Sequence, residues 1–500
     1  MVDNSYLVCD GEAWYNIDRT DKKQTENVMR DYSFGNFLHE LRLRSGLTQY
    51  QLGLLIGVSD KAVSKWENGS SMPQSSVLYK LSEALGVSVD ELLSCKYHSF
   101  EKKDTKGVFA TKKQLWNKAF DAMRERYGNP VPIEIVNRFL TEQAEMQNTD
   151  SIVYFDMLSV LSAAAKKRHD HVMVKGGTGS SLVAYLLGAT KINPLKPHYR
   201  CTACHRVVFG DSAADGWDLP PKECICGRAM IADGHGIPFE SCRHEVNHGS
   251  HVFVSVSPDF FRPAVECIED YFKECTLTRK EWEADRFFTI KVSSESAEGS
   301  VAVIAAEEYT RFQTLAQATA TSFDRIPFAS DEILREFQSG STDGILEFHT
   351  KHMKNMLHAV RANSFHDLIQ IFGLCHGTGV WTDNAGELVA QGCPVGEVIA
   401  YGDDVFRHMQ EKMISKGLAD TGFAYAVMEN TRRGLYAKNG IPHDIKMQLK
   451  SIGVDDWFVD SIGKIKILMH KAHGVSYVRL AATLMWYKIH YTKEFNEIML

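Results

Sequence analysis

FGNFLHELRLRSGLTQYQLGLLIGVSDKAVSKWENGSSMPQSSVLYKLSEALGVSVDELL, residues 34–93, decides the reading of the first folded unit. Its apolar residues recur at helical spacing. Phe37, Leu38, Leu41, Leu52, Leu55, Ile56, Val63 and Trp66 form the predicted core of a compact five-helix domain. Thr48 and Gln51 have capping-box spacing, which starts the second helix, and Gly57 closes it. Ser59 caps a third helix over residues 60–67.

That third helix is short and exposes Ser59, Lys61, Ser64 and Lys65 on one face. Hydroxyl and ammonium groups are the chemistry needed to reach base edges and phosphates in a major groove. Gln49, at the start of the preceding helix, is placed to clamp the DNA backbone. With its SxxAVSKWENG run and closing LGVSVDELL, the stretch resembles the lambda-repressor-like or XRE helix-turn-helix family along its whole length. The resemblance implies sequence-specific binding of double-stranded DNA, transcription regulation, salt-sensitive affinity and a homodimer on a palindromic site. Because the local charge is near neutral, a dimerisation or protein-binding module is the alternative, but a polar and basic face serves no packing purpose.

The whole chain has 500 residues, 44% of them hydrophobic and 24% charged, enough for three or four domains. A net charge of −7 means that nucleic-acid binding has to come from local basic faces. The N-terminus lacks a basic n-region and an apolar h-region, and no run of eighteen apolar residues occurs. A soluble, cytoplasmic protein without membrane contact is expected. The organisation reads as a polar arm over 1–33, the helix-turn-helix domain over 34–94 and a linker over 95–111 with charged residues at 101–106. Helical signal resumes at 112–127, while short β-branched runs at 151–155, 171–174, 251–256 and 301–305 read as strands. The fold class is therefore multidomain α+β, with a mixed α/β domain over 112–325 and a helical domain over 326–500.

Of eleven cysteines, four pair up as Cys201 with Cys204 (CxxC) and Cys224 with Cys226 (CxC). Four thiolates can surround a tetrahedral Zn²⁺, which makes 198–230 a zinc knuckle with no position left open for catalysis. Unpaired thiols are the alternative. HVMVKGGTGSSLVAYLLG, residues 171–188, reads as a strand, a tight glycine loop and a helix. Free backbone N–H groups and a helix N-terminus suit a phosphate. Without a Walker lysine or strict dinucleotide spacing, a close-packed turn is an equal alternative.

The neighbours change this reading. KGGTGSSLVAYLLGATKINPLKPHYRCTAC, CICG and DGHGIPFE resemble, in this order, the palm of the PolC-type DNA polymerase III alpha subunit. SFHDLIQIFGLCHGTGVWTDNAGELV, GEVIAYGDDVF, GLADTGFAYAVMENTRRG and VDDWFVDSIGKIKILMHKAHGVSYVRLAATLMWYKIHY resemble its fingers, and together the matches cover most of residues 129–490. The resemblance implies a palm over 112–325 and fingers over 326–500. It also implies that Gly176, Gly177, Gly179, Ser180, Arg432, Arg433, Lys471 and His473 handle nucleotide and primer-template DNA. A solvated helical face is the alternative for the four basic residues.

Polymerases of this family hold two divalent metals on aspartates, two of which lie in a PDIDLNFS strand. The corresponding stretch here is SHVFVSVSPDF, which puts His251 and Phe253 at the metal-holding positions. Phenylalanine cannot ligate magnesium and histidine is a poor hard-oxygen substitute. The segment with the third aspartate is missing after VAVIAAEEYTRFQ, and Asp259 alone makes no two-metal site. No catalytic residue and no Mg²⁺ are expected. The expectation is a DNA-binding regulator, of the sort a mobile element carries, with a pseudo-enzyme body that binds nucleotide, primer-template DNA or replisome proteins. The rivals are an active DNA-directed DNA polymerase, with Glu307, Glu308 or Asp324 supplying carboxylates, and a decoy that competes with a host polymerase for partners.

Overall fold

The computed structural model describes residues 32–44, 47–85, 87, 89–94, 111–210, 213–243, 250–283, 286–294, 297–418 and 421–500. Residues 1–31 of the expected arm and 95–110 of the expected linker lie outside the described residues.

The first unit is α1 (Tyr32–Arg44), α2 (Gln49–Ile56), α3 (Asp60–Glu67), α4 (Ser75–Leu85) and α5 (Val89–Ser94). Its second helix starts on the expected capping box: the Gln51 amide donates to Thr48 Oγ1 at 3.1 Å and the Thr48 amide to Gln51 Oε1 at 2.8 Å. Gly57 follows with φ +77°, the left-handed conformation that ends α2 cheaply only in glycine. Ser59 Oγ then accepts from the Ala62 amide and caps α3. The predicted core residues are buried, except Leu55, which is half-buried. Beneath them lies a pair that spacing does not reveal, Arg42 Nε donating to Glu67 Oε1 at 2.5 Å, with both side chains almost fully buried.

The body begins with α6 (Lys112–Tyr127), at the bounds read from the sequence, then α7 (Ile133–Met146) and α8 (Ser151–Lys167). Residues 151–155, expected as a strand, are the first turns of α8. Every side chain from Ile152 to Leu158 is buried, so the first half of this helix has no polar stripe to betray its period. Next come β1 (Met173–Lys175) and α9 (Leu182–Leu187), then β2 (His198–Arg200), β3 (Val207–Phe209) and β4 (Ile231–Asp233), which form a small antiparallel sheet in the order β3-β2-β4.

The larger sheet adds β5 (Ser250–Val256), α10 (Pro258–Tyr271), β6 (Thr276–Glu283), β7 (Phe287–Ser293) and β8 (Glu298–Ala305), in the order β1-β5-β8-β7-β6. Only β5 and β8 run parallel, and the chain between them includes α10, as a parallel crossover requires. Val252, Val254, Ile290, Val292, Val301 and Val303 point to the buried face, which α8 and α10 cover. The opposite face carries the site.

The C-terminal part is helical: α11 (Glu307–Ala318), α12 (Asp331–Ser339), α13 (Lys351–Val360), α14 (Phe365–His376), α15 (Gly386–Ala390), α16 (Gly402–Ser415), α17 (Gly422–Arg432), α18 (Leu435–Asn439), α19 (His443–Ser451), α20 (Asp456–Lys464), α21 (Lys471–His490) and α22 (Thr492–Met499). Buried along most of its length, α21 packs against α12, α14 and α22 and against β1 and the turn that follows it.

Candidate nucleic-acid interface

On the helix-turn-helix unit, Lys61 and Lys65 are exposed on α3 and Ser64 is half-buried. The Ser59 hydroxyl is the helix cap, and the Gln49 amide donates to Glu67 Oε2 at 2.8 Å. One N–H of the Gln49 amide is thus tied to Glu67, which fixes the side chain at the start of α2. Burial alone would raise the Glu67 pKa, yet the bonds from Arg42, Gln49 and His39 outweigh it and hold the carboxyl below its ordinary value.

In the body, cross-strand neighbours share a face of the sheet, so register arranges side chains in rows. One row is Thr278, Lys291, Ser300 and His251; the next is Lys280, Thr289, Ala302, Phe253 and Lys175. Neither row contains a carboxylate. His251 Nδ1 shares a 2.6 Å hydrogen bond with the Ser300 hydroxyl, and Phe253 is 44% exposed. This donor set is cationic, hydroxylic and aromatic, and it does not fit a pair of Mg²⁺ ions, which take carboxylate and other hard oxygen ligands. The carboxylates named as stand-ins lie off the rows, Glu307 and Glu308 in the first turn of α11 and Asp324 in the 3₁₀ turn Phe323–Arg325, and so does Asp259, in the first turn of α10.

The glycine loop is a single 3₁₀ turn, Gly176–Ser180, and all of it beyond Gly176 is buried. A Cβ on Gly179 would lie 2.8 Å from that of Ala472, so the loop is packed against the start of α21. An anion does sit at the N-terminus of α9, and it belongs to the chain. The fully buried Glu142 accepts from the amides of Leu182 at 2.8 Å and Val183 at 3.0 Å and from the Ser181 hydroxyl at 2.7 Å. Arg138 completes the cage with a 2.5 Å bond to Glu142. A carboxylate satisfies this helix end in the way a phosphate would.

The four basic residues do not form one surface. Arg432 and Arg433 flank Glu429, whose carboxylate pairs with Arg432 at 2.7 Å and lies 3.7 Å from Arg433. Lys471 is buried, its Nζ donating to the His235 carbonyl at 2.8 Å and its amide to Asp403 Oδ2 at 2.8 Å. Burial, then the nearby Lys175, pushes the His473 pKa down to about 3, so this ring is neutral at ordinary pH. The sequence gives no hint of the groups gathered near it. Lys175 senses Glu308 and Glu347, and Glu347 pairs with His376 at 3.0 Å. Burial would lower the His376 pKa, but Glu347 and the Phe372 carbonyl hold it above its ordinary value.

The four knuckle sulfurs lie within 4.8 Å of one another, at 3.5 Å between Cys201 and Cys226 and 3.4 Å between Cys204 and Cys224. These separations exceed a disulfide bond (about 2 Å) and approach the edge, about 3.8 Å, of a tetrahedron with Zn–S bonds near 2.3 Å. The amides of Cys204 and Ala203 aim at Cys201 Sγ and bring its pKa down to about 6. The quartet could hold a metal ion.

Residues 38–92 match the family model described as Helix-turn-helix. Residues 113–241 match that of the bacterial DNA polymerase III alpha NTPase domain, and residues 307–413 that of the bacterial DNA polymerase III alpha subunit finger domain. The chain is 28% identical over 466 residues to the DNA polymerase III PolC-type of Thermotoga maritima, an alignment covering 74% of this chain and 33% of that protein. It is 28% identical over 472 residues to the protein of the same name from Bacillus subtilis, covering 75% of this chain and 32% of the relative. The chain spans about a third of the length of the curated relatives it matches. Among the described residues, no helix is long and apolar enough to cross a membrane.

Proposed function

We propose that this chain, a helix-turn-helix DNA-binding domain fused to a body similar to PolC-type DNA polymerase III alpha, is a DNA-binding regulator whose body holds DNA without extending it. The observation that carries the reading is the open face of the large sheet. Its two central rows offer three lysines, a histidine, hydroxyls and the Phe253 ring, and no carboxylate. Cations neutralise phosphates and an exposed ring stacks on an unpaired base, but phosphoryl transfer by two metals needs the carboxylates that are missing. Zinc in the cysteine quartet is part of the proposal, as a structural ion.

Primer extension with Mg²⁺ or Mn²⁺ tests the first half, and the expected outcome is no templated incorporation. Sustained incorporation by the pure protein would falsify the reading. On the same face, Lys291→Glu combined with Phe253→Ala is expected to weaken binding of a single-stranded oligonucleotide by about 1–3 kcal/mol for the lost stacking alone. Unchanged affinity in a filter-binding titration would put the strand elsewhere.

The amino-terminal half has its own test. Lys61→Ala with Lys65→Ala is expected to weaken duplex binding and to reduce the salt slope of log K by about 2. A gel-shift series at several salt concentrations reads this directly, and an unaltered slope would mean that α3 does not face the backbone.

A further inference from the structure

Two tight turns present the four thiols of the knuckle. In the first, the Cys201 amide donates to the Arg206 carbonyl at 2.9 Å, and in the second the Cys224 amide donates to the Arg228 carbonyl at 2.8 Å. Each turn carries one buried cysteine, Cys201 or Cys224, and one exposed cysteine, Cys204 or Cys226. The close sulfur pairs cross between the turns, Cys204 with Cys224 at 3.4 Å and Cys226 with Cys201 at 3.5 Å. Each exposed cysteine therefore has a buried one beside it, its sulfur about 1.4 Å farther away than in a disulfide bond. Between the turns runs the loop whose Asp218 accepts from the amides of Phe365 and His366, so a change in the knuckle acts where it meets the helical part.

From the crossed pairing we infer that the quartet is a reversible redox switch, in which a peroxide converts the zinc–thiolate knuckle into the disulfides Cys204–Cys224 and Cys201–Cys226 and expels the ion. The inference rests on the zinc reading of the quartet. A thiolate is both a metal ligand and a nucleophile, and an electron pair committed to a sulfur–sulfur bond no longer holds the ion. In each half, the exposed thiolate attacks a peroxide oxygen, the O–O bond breaks, and the sulfur becomes a sulfenic acid while the other oxygen leaves as hydroxide. The buried partner then attacks the sulfenic sulfur, the S–O bond breaks, and a second hydroxide leaves. Two thiolates give up two electrons, one peroxide takes them, and protons from solvent turn both hydroxides into water. Pairing within a turn is disfavoured, since Cys224 and Cys226 would have to close a ring across Ile225 alone.

The test treats the full, zinc-loaded chain with hydrogen peroxide while a chromogenic chelator reports free zinc and peptide mapping reports the disulfides. Expected are loss of the bound zinc together with the four knuckle thiols, both disulfides in the crossed pairing, and recovery of zinc binding on addition of dithiothreitol and Zn²⁺. Zinc that stays bound under peroxide sufficient to oxidise free glutathione overturns the inference and leaves the zinc reading intact. So does zinc loss that comes with sulfinic or sulfonic acids, or with disulfides inside each turn, in place of the crossed pairs. A chain that takes up no zinc removes the zinc reading itself, and the inference with it.

Discussion

Lys471→Met is expected to lower the unfolding free energy of the body by about 3–5 kcal/mol, the cost of removing one partner from a buried ionic cluster. Lys471 is 1% exposed, its ammonium donating to the His235 carbonyl within the field of Asp215, Asp403 and Asp404, while its backbone amide donates to Asp403. Around it, Asp215 and His235 pair at 2.8 Å, both essentially inaccessible to solvent, and Asp403 also accepts from the Ser241 hydroxyl at 2.7 Å. The substitution keeps much of the side-chain volume but leaves Asp215 and Asp403 short of a cation in a medium that cannot screen them. A fall of roughly 5–15 °C in the body's melting transition is the corresponding thermal result. Lys464→Met is the control: its pair with Asp460 at 2.6 Å is solvent-exposed and should be worth about 0–1 kcal/mol. Equal effects of the two substitutions would sink the argument.

The pH dependence has a definite sign. Burial alone would raise the Asp215 pKa, but His235 and Lys471 outweigh it and hold the carboxyl below its ordinary value. A depressed carboxylate stabilises the fold above its unfolded pKa, about 4, and the contribution is lost as pH falls through the lower folded value. Removing Lys471 raises that folded value, so acid unfolding of the variant should begin at higher pH than in the native chain.

Stripping metal from the cysteine quartet is expected to have the second large effect, and it should not stay local. The loop between the cysteine pairs carries Asp215, Trp217 and Asp218 into the helical part of the body. Asp218 accepts from the amides of Phe365 at 2.6 Å and His366 at 2.8 Å, capping α14, while Trp217 packs edge-on against His235 and Phe328. A thiolate-bound ion contributes folding free energy outright, up to about 10 kcal/mol or more in small zinc domains. Chelation, or Cys204→Ser, should therefore loosen the loop and lower the body's melting temperature along with it. Elemental analysis should find one zinc per chain. A metal-free protein that melts like the native one would remove the zinc proposal.

The sequence discloses most where physics is local. Thr48, Gln51, Gly57 and Ser59 set the ends of α2 and α3 through contacts within a few residues, and those ends are where the reading put them. Residues 151–155 were illegible for the opposite reason, because helical turns buried on every side have the same composition as a buried strand. His251 and Phe253 could be placed on one face from strand alternation alone, but the rest of that face comes from β6, β7 and β8, and only register brings it together. Glu142 caps a helix some forty residues away, and Lys471 meets a carbonyl 236 residues back; no spacing rule reaches that far. Gln49 shows the limit at short range, since its neighbour Glu67 offers a partner that a helical wheel does not display.

The caged Glu142 turns the N-terminus of α9 into a question of competition. A covalently attached carboxylate faces the N-terminus of α9 at an effective concentration in the millimolar range or above, and it never diffuses away. A nucleotide phosphate aimed at the same amides has to displace this resident and leave a charge stranded beside Arg138 without its hydrogen bonds. This helix end is thereby satisfied from within the chain, and Glu142→Gln is expected to cost stability there, because an amide accepts the Leu182 and Val183 hydrogen bonds more weakly than a carboxylate does.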